Sequence, residues 1–208
     1  CAACERGDIV PVYILDDEGA NRWKMGAASR WWLHQALEDL TNSLNGKLQL
    51  FQGDALTILR DVAVQTNASA ITWNRCYEPW RIARDAAIKT ALKCDGLVVE
   101  SFNGSLLWEP WQVLKKDVTP YKVFTPYYRR GCLASVTPRQ PMPVPKNIRI
   151  AKNSGQSLSL ESLNLLPKIN WDEQMRARWT VSEAAAHQRL DEFVLDELQD
   201  YREGRNFP

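Results

Sequence analysis

Apolar positions over the first hundred residues alternate between short β-branched runs and stripes at helical spacing. Residues 9–15, Ile-Val-Pro-Val-Tyr-Ile-Leu, form an apolar run that ends in Asp16-Asp17, which reads as a buried strand opening into a loop. Leu33, Leu37, Leu40 and Leu44 then recur at helical spacing until Asn45-Gly46 stops them. Residues 47–51 give a second strand. Asp54 caps a helix that carries Leu56, Leu59 and Val62, and residues 69–74 give a third strand. A helix over residues 78–93 closes at Asp95-Gly96, and residues 97–101 are the fourth strand.

This alternation predicts an α/β fold with right-handed crossovers and a doubly wound, mostly parallel sheet. Ligands of such sheets bind beyond the carboxyl ends of the strands. Here those ends carry Asp16-Asp17, Gly53-Asp54, Asn74-Arg75 and Asn103-Gly104. None of them carries a Gly-x-Gly-x-x-Gly or Walker sequence, which leaves an ordinary dinucleotide or P-loop site unsupported. Cys1-Ala-Ala-Cys-Glu-Arg-Gly7 has the composition of a helix's last turns with Gly7 as the stop. A helix in this alternation follows a strand, so the expectation is that the first strand is missing.

From about residue 131 to 168 the texture changes, because Pro138, Pro141, Pro143, Pro145 and Pro167 interrupt any ladder, with Ser154-Gly155 among them. An extended connector is expected there. Thr180-Val-Ser-Glu183 reads as a capping box for a C-terminal helix, along which Ala186, Leu190, Val194, Leu198 and Tyr201 make a stripe.

Composition adds limits. The 26 Lys and Arg against 25 Asp and Glu leave a net charge of +1, so any nucleic-acid contact must be local. The five cysteines include one close pair, Cys1 and Cys4; with only two histidines, reduced structural thiols are a better reading than a redox or zinc pair. No apolar run reaches a membrane span and no basic start followed by an apolar segment reads as a signal peptide, so a soluble, cytoplasmic protein is expected.

Three stretches together resemble the photolyase/cryptochrome family. They are Gly26-Ala-Ala-Ser-Arg-Trp-Trp-Leu-His34; Trp73-Asn-Arg-Cys-Tyr-Glu-Pro-Trp80 followed by Ala83-Arg-Asp85; and Ser101-Phe-Asn-Gly-Ser-Leu-Leu-Trp-Glu-Pro-Trp111 with Pro120-Tyr-Lys-Val-Phe-Thr-Pro126. In order and spacing they are similar to class I DNA photolyases over nearly the whole chain. The resemblance implies a Rossmann-like antenna domain over residues 1–130, an interdomain connector over 131–179, and the start of a helical flavin-binding domain over 180–208. It implies that the longer parent is a deoxyribodipyrimidine photolyase. In that family photoexcited reduced flavin adenine dinucleotide (FAD) splits a cyclobutane pyrimidine dimer flipped out of DNA. The fragment alone is expected to be inactive and monomeric, with most of the FAD pocket outside it.

The resemblance also assigns residues. In Tyr201-Arg-Glu-Gly-Arg205-Asn-Phe-Pro208 it implies that Tyr201 contacts FAD and Arg205 approaches the DNA. Trp80 and Arg81 stand where folate-binding members carry an Asn-Glu pair, which puts a cation in place of an acceptor carboxylate. Folate is therefore disfavoured as antenna; a deazaflavin, a flavin mononucleotide or an empty pocket stay open. The nine tryptophans read as core and interface aromatics without a redox role. Lys115-Lys116 and Arg129-Arg130 are solvated faces or phosphate contacts. Two other readings stay open: part of a cryptochrome-type blue-light sensor, and a free-standing nucleotide or chromophore binder.

Overall fold

The computed structural model describes residues 2–151 and 156–206. The chain forms two compact units, one built from Cys1–Ile9 and Ala63–Arg149, the other from Val10–Val62 and Ile150–Pro208. The four strands pair in parallel as two separate two-stranded sheets, β1 with β2 and β3 with β4. The parallel α/β alternation is thus present, as two strand pairs rather than one continuous sheet.

In the second unit β1 (Val12–Leu15) lies beside β2 (Gln49–Gln52), with Leu15 opposite Gln52. Between them runs α2 (Ala27–Ser43), which buries Trp31, His34 and Leu37. It stops where expected: Asn45 and Gly46 both take positive φ, and the Gly46 N–H bonds back to the Thr41 carbonyl at 2.8 Å. The core of this unit contains Leu15, Leu37, Leu48, Leu50, Leu163 and Leu165. The last two come from the stretch expected to be connector. Its residues 157–158 also pair with β2: the Leu158 N–H donates to the Leu50 carbonyl at 2.8 Å, and the Leu50 N–H donates to Ser157 Oγ at 2.9 Å. Proline-rich composition hid this, because the leucines of residues 158–166 obey neither strand nor helix periodicity.

Helix α3 (Ala55–Thr66) begins as read, on Asp54. Asp54 Oδ2 accepts from the Thr57 N–H at 2.8 Å and from the Thr57 hydroxyl at 2.7 Å. These bonds, the hydroxyl's first, hold the Asp54 carboxyl below its ordinary value. The folded state therefore binds this proton more weakly than the unfolded chain. The cap's contribution is complete above the unfolded carboxylate range near pH ~4 and is lost as pH falls through the lower folded value. Asp54→Ala should cost about 1 kcal/mol at neutral pH. In urea unfolding at stepped pH, the gap between parent and variant should close below roughly pH 4; a gap that widens there would contradict the cap.

The first unit opens with α1 (Ala2–Arg6), the helix end expected before Gly7. Arg6 pairs with Glu100 at 2.8 Å, tying α1 to β4. Strands β3 (Ala70–Asn74) and β4 (Val98–Phe102) flank α4 (Pro79–Cys94) in sequence. Gly96, at φ +87°, lets the chain turn so that the Leu97 N–H reaches the Leu92 carbonyl, closing α4 in a Schellman-type stop. After an irregular stretch, α5 (Phe124–Pro126) continues as a π-helix over Tyr127–Cys132.

The C-terminal residues add α6 (Glu173–Arg178), α7 (Glu183–Glu192) and α8 (Tyr201–Gly204) to the second unit. Helix α7 is capped by Ser182, whose Oγ accepts from the Ala185 N–H at 3.0 Å, so the cap lies two residues beyond the expected Thr180. A π turn, Phe193–Glu197, follows α7 and breaks the expected stripe. Leu190, Val194, Leu198 and Tyr201 are all exposed. No helix among the described residues is long and apolar enough to cross a membrane.

Candidate functional site

The carboxyl ends of β3 and β4 converge on one guanidinium. Arg75 follows β3 directly, and its N–H extends the ladder by donating to the Phe102 carbonyl at 2.8 Å. Its side chain donates from Nε to Glu109 Oε1 at 3.0 Å and from the terminal nitrogens to that same oxygen, to the Ser101 carbonyl and, at 3.2 Å, to Ser101 Oγ. Lys89, from α4, donates to Ser101 Oγ at 2.7 Å. Trp111 packs 5.7 Å from Arg75, and Trp73 lies 5.7 Å from the Lys89 ammonium. Gly104 completes the loop after β4, because a Cβ there would collide with the Asn74 side chain.

Glu109 is the buried anchor, its side chain only 5% exposed. The hydrogen bond to this carboxylate raises the Arg75 pKa above its ordinary value, against the opposing effect of burial. Among the described residues Glu109 Oε2 is buried without a hydrogen-bond partner, and the Tyr77 side chain lies beside Arg75 and also favours its charged form. An open acceptor beside a fixed cation suits holding a polar group. These groups do not amount to a nucleophile with its base, and no group of three or more His, Cys, Asp or Glu among the described residues could hold a metal ion.

Trp80 and Arg81 stand in the first turn of α4, after Pro79 at its start. The Trp80 ring is flanked by two guanidinium groups, Arg81 at 5.1 Å and Arg84 at 5.2 Å. Arg81 also reaches Glu78 at 3.7 Å and Cys76 Sγ at 3.6 Å. Tyr201 and Arg205 belong to the other unit. Tyr201 meets Phe193 edge to face at 5.8 Å, and the Arg205 guanidinium sits 6.0 Å from the Tyr201 ring. Each expected pair is therefore brought together. Sequence reasoning missed Arg75, Tyr77 and Glu109 as a cluster, although all three stand inside the quoted motifs, at strand ends where such sheets place their polar groups.

Cys1, Ser154, Gly155, Phe207 and Pro208, which figured in the sequence reading, lie outside the described residues. Cys4, Cys76, Cys94 and Cys132 are free thiols. Of the tryptophans, Trp31 is fully buried, whereas Trp23, Trp32, Trp111, Trp171 and Trp179 are exposed. Trp31, Trp32 and Trp179 form an edge-to-face series, at 6.2 and 5.6 Å between rings. A groove of about 250 Å³ between α2 and residues 157–160 has Glu38 as its one charged lining residue.

Residues 1–146 match the family model described as DNA photolyase. The chain is 40% identical over its full length to a deoxyribodipyrimidine photo-lyase of Agrobacterium fabrum, covering 43% of that protein. It is 28% identical to cryptochrome-2 of Arabidopsis thaliana, over 96% of the chain and 34% of the relative. Among solved structures, a bacterial class III photolyase from Agrobacterium tumefaciens matches with a TM-score of 0.91 and 40% identity, over 100% of this chain and 43% of that one. The chain thus spans less than half the length of these relatives. The class I assignment read from the motifs is not supported, since that match at 40% identity is to a class III photolyase. The quoted motifs fall on the start of α2, on the ends of β3 and β4 and on α5, where they build the fold, and so they report family rather than class.

Proposed function

The chain belongs to the DNA photolyase family, and from that premise we propose that it is part of a class III photolyase that repairs cyclobutane pyrimidine dimers in DNA. The observation that carries this reading is 40% identity sustained over the whole chain to a protein named as a deoxyribodipyrimidine photo-lyase. The reading divides the chain into an α/β antenna domain over residues 1–130, a connector over 131–179 whose residues 157–165 pack back onto the β1–β2 core, and the entry to a helical domain over 180–208. FAD, when bound, supplies the photoexcited electron that splits the dimer.

The residues of this chain have supporting roles. Tyr201 fits a flavin contact: it is about half exposed and its ring is already braced by Phe193. Arg205, packed on that ring, would offer its guanidinium to a DNA phosphate. At the antenna position folate is disfavoured, because Trp80 has two cations within 5.2 Å of its ring where a pterin's donor edge needs an acceptor. A deazaflavin or flavin mononucleotide, each with an anionic tail, suits that pair of guanidinium groups better.

The test uses the protein in its natural length, assayed for thymine-dimer splitting under blue light. Tyr201→Ala should lower the flavin retained on purification. Arg205→Ala should keep the flavin, weaken binding to damaged DNA and flatten its salt dependence by about one phosphate's worth, a change of roughly 0.7–0.9 in slope. Flavin present with no repair would instead favour the light-sensor reading, to which the likeness to a plant cryptochrome lends support.

A further inference from the structure

Positive charge that cancels over the whole chain is concentrated in one stretch. Residues 118–160 contain seven Lys and Arg and no Asp or Glu, in a chain of net charge +1. The part that follows Tyr121 is built around α5 and its π continuation. Its inner side is Gly131 and Cys132, both buried. A Cβ at position 131 would stand 2.6 Å from a Val113 methyl, so the backbone is pressed directly onto the unit. The Cys132 thiol beside Tyr127 is the main cause of a raised phenol pKa.

The outer side is different in kind. Phe124 and Tyr128 stack in parallel, 5.9 Å between centroids and 6° between planes, yet they are 73% and 46% exposed. Lys122, Arg129 and Arg130 beside them are exposed. Among the described residues the side chains of these three make no ion pair or hydrogen bond. Elsewhere in the unit, Arg6, Arg75 and Arg149 are paired with carboxylates. A flat, uncovered aromatic face among unpaired cations is the combination by which proteins hold single strands: bases stack on rings while phosphates meet cations. A membrane surface is taken by a longer amphipathic helix with a broad apolar face, and this helical segment runs only from Phe124 to Cys132.

We propose that the outer face of residues 122–130 binds single-stranded nucleic acid. An unpaired base stacks on the exposed Phe124–Tyr128 pair, and Lys122, Arg129 and Arg130 meet the flanking phosphates. The site is distinct from Tyr201 and Arg205 and requires neither flavin nor a lesion.

The test is fluorescence anisotropy of the 208-residue chain with an undamaged, labelled oligothymidylate of about 16 nucleotides, a length in the range of one single-strand site, in the dark and across salt concentrations. Three phosphate contacts predict a slope of about −2 in log affinity against log salt. Arg129→Gln with Arg130→Gln should flatten that slope by about 1.4. Phe124→Ala should weaken binding roughly five- to hundredfold, the range for losing one stacked base, while Phe124→Trp should retain it. Photocross-linking of a bromouridine-substituted strand to the unaltered chain reads the site without any variant and should label Phe124 or Tyr128. The proposal is overturned by equal affinity in a folded Phe124→Ala variant, by an unchanged slope in the arginine variant, or by cross-links confined to other residues. It is equally overturned if phosphatidylserine vesicles bind this face and the oligonucleotide cannot displace them. None of these outcomes depends on photorepair, so they leave the family-based reading untouched.

Discussion

Arg75→Ala is expected to destabilise the chain by about 3 kcal/mol, the low end of the cost of breaking a buried ion pair, because Glu109 is buried but the Arg75 guanidinium is itself a third exposed. The reason lies in Glu109. Its carboxylate is almost fully buried, and among the described residues Oε1 is satisfied only through Arg75 and Oε2 has no partner. Losing Arg75 leaves a charge with nothing to offset its desolvation. Glu109→Gln should cost less, because an amide oxygen can still accept from Arg75 without carrying a buried charge. Arg75→Met combined with Glu109→Leu should recover much of the loss, since hydrophobic replacement of a whole buried pair is often neutral or better. Urea unfolding of the four proteins tests the order; a double variant as unstable as Arg75→Ala alone would show that the pair contributes through positioning rather than through charge compensation.

Leu163→Ala should be nearly as damaging. Leu163 is 0% exposed and packs in the same cluster as Leu15, Leu37, Leu48 and Leu50. Truncating such a leucine costs about 2–5 kcal/mol, depending on how far the cavity collapses. For a chain of this size that corresponds to a fall of about 5–15 °C in melting temperature. Leu195, which is 76% exposed, is the control, and its alanine variant should stay within about 0.5 kcal/mol of the parent. Thermal melts that moved equally for both variants would mean that residues 158–165 are not part of the folded core.

The two variants also mark the boundary of what the sequence discloses. The four strands through residue 102 were legible within about three residues, whereas α2 begins at Ala27, six residues before the first leucine of its stripe, and the 3₁₀ turn Glu18–Trp23 carried no periodic signal. Asp54 and Gly96 needed no tertiary information, because a cap and a left-handed turn are settled within a few residues of chain. Leu163 had no such local signature: a short 3₁₀ turn, Glu161–Leu163, presents it to a strand more than a hundred residues earlier. The Arg75–Glu109 pair was hidden for the same reason. Thirty-four residues separate its members, and only the parallel pairing of β3 with β4 brings their loops together. The Thr180 cap failed on a different point, since Thr180 and Ser182 both have the right chemistry and the helix starts on the second of them.

The pairing of Leu50 with Leu158 has a consequence for synthesis. The unit that contains β1 and β2 is interrupted in sequence, its two parts being separated by the whole of Ala63–Arg149. As the chain leaves the ribosome, Leu15, Leu37, Leu48 and Leu50 emerge long before Leu163 and Leu165 exist to cover them. At ordinary translation speeds of about 5–20 residues per second, the hundred or so intervening residues take roughly 5–20 s. Through that interval half of a leucine core is finished and open to water, and the edge of β2 that Ser157 and Leu158 will occupy is available to any other extended strand. The nascent chain therefore passes through a period, set by the order of its segments, in which a chaperone has a defined sequence to protect.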